Sequence, residues 1–168
     1  MIEKIDVSGI VVDHFRTLRS FRDKTYSKSD FFVFLFMPLL AAGLFCWRKP
    51  ELGADLVGVL ATALSVFAAL LFNLILLLYD MLSRASGTSA RLSPKVVLLR
   101  EVYSNVSFCI LVAMVTLVIL VAHFFGLKRH WFQWAVAYAV YSLTGVFVLT
   151  LFMVLKRLHV LLRQELSQ

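Results

Sequence analysis

The sequence predicts an all-α integral membrane protein: a four-transmembrane-helix bundle with an amino-terminal cytoplasmic amphipathic helix, expected to assemble as a homo-oligomer. Three observations carry that class. Of 168 residues, 61% are hydrophobic and 16% charged, more apolar surface than a soluble domain of this size can hide. The apolar residues fall into four runs, 31–47, 56–82, 104–127 and 131–155. Each approaches or exceeds the roughly 20 residues that cross a hydrocarbon core about 30 Å thick. Finally, the 17 Lys and Arg residues divide unevenly between alternate connections, the asymmetry that orients a multi-span chain.

Residues 1–30 form the first element. Ile10 or Val11, Phe15, Leu18 and Phe21 recur at helical spacing, and Arg16, Arg19 and Arg22 line another face, the pattern of an amphipathic helix. No short apolar stretch with a small-residue cleavage site is present, so the first span is expected to act as its own insertion signal. Ser29 or Asp30 can cap that span. Pro38 falls within it, removing one backbone hydrogen bond and kinking the helix.

The second run ends in a cytoplasmic loop, 83–100, containing SRASGTSARLSPK. Ser93 and Pro94 suit the cap and first-turn positions of a new helix. That helix carries Lys95 and Arg100 before entering the membrane as the third span. The fourth span runs into a cytoplasmic tail, 156–168, as a short amphipathic extension. The membrane domain is therefore 31–155, and no soluble part is large enough to fold alone.

The basic residues fix the sides. Thirteen lie before the first span, in the 83–100 loop with Arg84, or after the fourth span. Four lie in the other two connections: Arg48, Lys49, Lys128 and Arg129. The richer side is cytoplasmic, so both termini are inside. Trp47, Trp131 and Trp134 fall at outer span ends and Tyr26, Tyr79 and Tyr103 at inner ends, as headgroup-level belts require. Localisation follows as a multi-pass membrane protein with both termini cytoplasmic, with the lipid bilayer as its first partner.

An enzyme is not expected. The chain has no phosphate-cradling glycine loop, no paired-cysteine zinc spacing and no HExxH run, and its four histidines divide between the two membrane faces. No cofactor or metal is implied. Cys46 and Cys109 sit in separate spans and read as small buried hydrophobes.

The most specific pattern is in the second span. Gly58, Thr62, Ser65, Ala69, Asn73 and Asp80 follow one another at helical steps and share one face. Bulky residues, among them Leu71 and Leu78, occupy the opposite face. A small, polar stripe avoids lipid, either by packing on another helix or by lining a wet pathway. Asn73 lies about 7 Å inward of the span centre at 1.5 Å per residue, where an amide needs a partner. Asp80 lies about 18 Å inward, at the cytoplasmic interface, positioned to pair with Arg84 one turn on. Asn105, Cys109, Thr116 and His123 in the third span, and Tyr138, Tyr141, Ser142, Thr144 and Gly145 in the fourth, read as ordinary packing faces. A filled four-helix bundle has no lumen. A pathway would therefore run on the axis of a homo-oligomer, lined by Thr62, Ser65, Ala69, Asn73 and Asp80 from each copy, with the acidic ring favouring cations.

The basic face suits anionic lipid and would equally suit a phosphate-rich ligand, with Arg16, Arg19, Arg22, Arg91, Lys95 and Arg100 as the binding or gating residues. Two function classes stay open from these residues: an ion channel or pore, and a non-conducting membrane anchor or sensor for a soluble partner. A transporter is less suited, because the chain has no doubled halves.

The outline as a whole, with its amino-terminal helix, SKSDFF entry, FNLILLLYD in the second span and cytoplasmic loop, resembles membrane effectors of bacterial anti-phage defence. It is similar in size and plan to the channel subunit of the Hailong system and, in plan, to the membrane subunit of the Kiwa system. The resemblance implies an oligomeric inner-membrane channel, with a tetramer favoured. It also implies control by a partner nucleotidyltransferase through short DNA chains, a nucleotide or oligonucleotide ligand.

Overall fold

The computed structural model describes residues 7–17, 28–48, 52–84, 94–125 and 130–166, with the backbone alone at 28–35, 94–95, 130, 162 and 164–166. Five helices account for nearly all of them: α1 (Ser8–Thr17), α2 (Lys28–Arg48), α3 (Ala54–Arg84), α4 (Pro94–Phe125) and α5 (His130–Leu166). Among the described residues there is no strand. The chain is all-helical.

Three of these helices have the length and composition to cross a membrane: Ala54–Arg84, Val96–Phe125 and Trp131–Leu161. In α2, among the residues described with their side chains, the apolar stretch is Phe36–Arg48. Pro94 opens α4, as a residue with preset φ and no N–H to satisfy should, so this helix begins well before its apolar run. Helix α5 likewise continues to Leu166 through the basic tail. Helix α2 is already formed at Lys28, which places the expected caps Ser29 and Asp30 inside it rather than at its start. Pro38 is buried within α2.

Helix α4 is the centre. It packs against α3 on one side and α5 on another, α2 packs on α5, and α1 packs on α4. The α2–α3 contact that would close a ring of four is absent among the described residues. The longer helices thus form an open series, α3–α4–α5–α2.

Spacing explains which faces meet. On α4, Leu99, Val102, Val106, Cys109, Ala113, Thr116 and Leu120 alternate steps of three and four and are all essentially inaccessible. On α3 the buried residues are Leu64, Leu71 and Leu78. Val57, Ala61, Ala68, Ile75 and Leu82 pack around them. These are seven-residue repeats, the signature of helices crossing at small angles with side chains interdigitated. Between α2 and α5 the backbones come closer. A Cβ built on Gly145 would lie 2.9 Å from Pro38 Cβ, so only glycine fits this crossing. Phe45 meets Tyr141 farther along, at 5.7 Å between ring centroids. The two contacts run in opposite chain order, so the pair is antiparallel. Cys46 and Cys109 are buried and free.

Candidate functional site

The stripe of α3 faces outward on the single chain. Thr62, Ser65, Ala69, Asn73 and Asp80 are all exposed on the single chain. They do not pack against α4, because the leucine line does. The stripe lies nearly opposite that line, about 170° round the helix. Large side chains at seven-residue spacing bury more apolar area than a small-residue face, and they claim the intramolecular contact. Thr62 Oγ1 returns its proton to the Gly58 carbonyl at 2.9 Å. Asp80 pairs with Arg84, Nη2 to Oδ2 at 2.8 Å, as the four-residue spacing predicts. Asn73 has no hydrogen-bond partner among the described residues. The five residues share an open face.

A second polar constellation lies where α1 meets α4 and α5. His14, 2% exposed, stacks flat on Phe108, with ring centroids 3.8 Å apart. Its Nδ1 donates to Asn105 Oδ1 at 2.8 Å. The Thr17 hydroxyl stands 2.8 Å from the same oxygen and 2.7 Å from the His14 carbonyl. Arg157, from α5, donates Nη2 to the Thr17 carbonyl at 2.7 Å. Its Nη1 lies 3.0 Å from Glu101 Oε2. One guanidinium therefore joins the last described turn of α1 to α4 and α5.

Burial lowers the His14 pKa to about 4, against the opposing pull of the Asn105 hydrogen bond and with help from the positive charge of Arg157. The imidazole is neutral, with its proton on Nδ1 facing an acceptor. Asn105 is fully buried.

This cluster defines the docking face of α1. Ile10, His14 and Thr17 turn toward the protein, while Phe15 remains 38% exposed. Sequence periodicity selected the phenylalanine because it weighs apolarity. The histidine won because a specific acceptor and a flat ring wait for it on α4. His14, Thr17, Glu101 and Arg157 were not singled out as a site by sequence reasoning. Asn105 was placed on a packing face, and it is on one.

The basic residues expected to bind a ligand separate into three groups. Arg16 and Arg100 are exposed and line one cavity of about 700 Å³ between α1 and α4. Arg19, Arg22 and Arg91 lie outside the described residues, and Lys95 is placed by its backbone in the first turn of α4. Asp13 is 3.5 Å from Arg16, with both groups largely in solvent. Among the described residues no three His, Cys, Asp or Glu side chains gather to hold a metal ion.

Asn105, Cys109 and Thr116 are fully buried and His123 only partly so, which makes this face of α4 a helix seam rather than a lumen. Compared with known protein families, curated proteins and solved structures, the chain matches none.

Proposed function

We propose that this chain is one subunit of an oligomeric ion channel or pore in a bacterial inner membrane. Each subunit contributes four spans, with both termini in the cytoplasm. The pathway is lined by Thr62, Ser65, Ala69, Asn73 and Asp80 of each copy. One observation carries the reading: among the described residues, the polar stripe of α3 is exposed and Asn73 has no partner, at a depth the proposal puts inside the membrane. An amide facing hydrocarbon is costly. A wet axis shared by several copies removes that cost. The open helix series supports the same arrangement, since a protomer with no closed ring encloses no path of its own.

Gating is assigned to the cytoplasmic side, through α1 and its docking on α4. The resemblance to anti-phage effectors motivates a role in defence, with a nucleotide, oligonucleotide or partner protein as trigger and closure as the resting state. Ion flux through purified protein in liposomes tests the proposal. Asn73→Leu should abolish flux, and Asp80→Asn should weaken cation preference while leaving assembly intact. Unchanged flux in an assembled Asn73→Leu, Asp80→Asn double variant sinks the pore assignment and leaves the non-conducting anchor.

A further inference from the structure

The cavity between α1 and α4 has the chemistry of a binding site, and we infer that it holds the headgroup of an anionic phospholipid. Arg16 and Asp13 stand on its α1 wall, and Arg100 and Glu101 on its α4 wall, the Glu101 carboxylate being neutralised by Arg157 from α5. Arg157 is held by Glu101 and Arg84 by Asp80, whereas Arg100 makes no ion pair among the described residues. Arg16 has only the long, solvent-exposed contact to Asp13. Two guanidiniums on opposing walls can share one phosphate, giving charge-assisted hydrogen bonds from both helices.

A second observation points into the same space. Thr62, Ser107, Thr116 and Thr150 each donate their hydroxyl to the carbonyl four residues earlier, the usual resting place for a helix hydroxyl. Ser104 also lines the cavity. Its Oγ is buried and has no hydrogen-bond partner, although its own helix offers one. A buried hydroxyl left open on a cavity wall is accounted for by an acceptor in the cavity.

Lipid is favoured over a small free anion by place and lining. Ser104 begins the apolar run of α4 and Arg100 lies one turn before it, so the cavity is at the cytoplasmic headgroup level, where anionic lipid concentrates. Ile10 and Val97 supply an apolar flank that suits the upper part of an acyl chain and offers nothing to inorganic phosphate. A volume of about 700 Å³ far exceeds a phosphate and accommodates a glycerophosphate. Lipid bound here would tether α1 to α4. The inference stands whether or not the assembly conducts.

The test uses the full chain in mixed phosphatidylglycerol and phosphatidylcholine nanodiscs, with retained lipid counted by native mass spectrometry. Arg100→Gln should lower phosphatidylglycerol retention about tenfold, the size of one lost charge-assisted contact. Ser104→Ala should lower it less, and Arg48→Gln, on an exposed residue of another helix, not at all. Arg100 is exposed, so its replacement leaves the fold in place. Equal losses in Arg100→Gln and Arg48→Gln would reduce the effect to surface charge and overturn the site. No loss in Arg100→Gln overturns it too. A thermal shift from inorganic phosphate alone that requires Arg100 would make a free anion the occupant and reject the lipid.

Discussion

Two asparagines sit in long apolar helices of this chain, and the structure treats them in opposite ways. Asn105 on α4 is fully buried, and its side-chain oxygen lies 2.8 Å from both His14 and Thr17. Asn73 on α3 faces outward with no partner among the described residues. The oxygen of the first amide belongs to a clasp formed within one chain, while its Nδ2 is buried without a hydrogen-bond partner among the described residues. The second has no partner among the described residues, and the proposed assembly is what would supply one. The same side chain marks intramolecular docking in one place and, under that proposal, a contact beyond the protomer in the other.

The largest way to break this contrast is to open the clasp at Arg157, which touches α1 and α4 from α5. Arg157→Leu strands the mostly buried Glu101 carboxylate and removes the bond to the Thr17 carbonyl. Breaking a buried pair from one side costs about 3–5 kcal/mol. The partial exposure of both groups, 17% and 22%, brings the expected loss to about 2–3 kcal/mol through solvent screening. Thermal unfolding should drop accordingly, and amide exchange in α1 should rise. Adding Glu101→Gln should recover part of the loss, because it removes the stranded charge. If amide exchange in α1 is unchanged in Arg157→Leu, the clasp does not hold this helix.

Acid opens the same clasp more gently. Undocked, His14 titrates near 6.5; docked, near 4. The undocked state therefore binds the proton first, and docking is at full strength above pH 6.5 and weakens as pH falls toward 4. At pH 5 the penalty is about 2 kcal/mol, from the linkage of those two values. Asp13 and Arg16 on α1, Glu101 and Arg100 on α4, and Arg157 on α5 complete the charge around this junction. Glu101 also takes up a proton in acid, so His14→Phe separates the two. The phenyl ring keeps the stack on Phe108 and should remove most of the pH dependence of α1 exchange. A variant with the wild-type pH profile would assign the effect to Glu101 instead.

These interactions mark where sequence reasoning reached and where it stopped. The long helices were legible because runs of some 20 apolar residues have few alternatives, and Pro94 announced the start of α4. The Asp80–Arg84 pair was legible because it is local. The clasp was not, because His14 and Asn105 stand 91 residues apart and neither residue is unusual in its own helix. The stripe of α3 was visible, but its direction was not. Both the leucine line and the small-residue line are plausible seams, and the choice depends on what α4 presents. Sequence pattern ranks faces by character; packing assigns them to partners.

The sharpest form of the comparison replaces both amides with leucine and reads monomer stability and ion flux separately. Asn105→Leu leaves the buried His14 Nδ1 without its acceptor, while the Thr17 hydroxyl keeps the His14 carbonyl, a loss of about 1–3 kcal/mol. Asn73→Leu removes a group that has no partner among the described residues, so protomer stability in detergent should stay within about 0.5 kcal/mol of the parent. Its effect should fall on the oligomer, seen as lost ion flux through a complex whose mass is kept. Asn105→Leu should release α1, again with complex mass kept. If Asn73→Leu instead destabilises the isolated protomer as much as Asn105→Leu does, the two amides are doing the same intramolecular work. The outward stripe of α3 would then have no claim on a second copy.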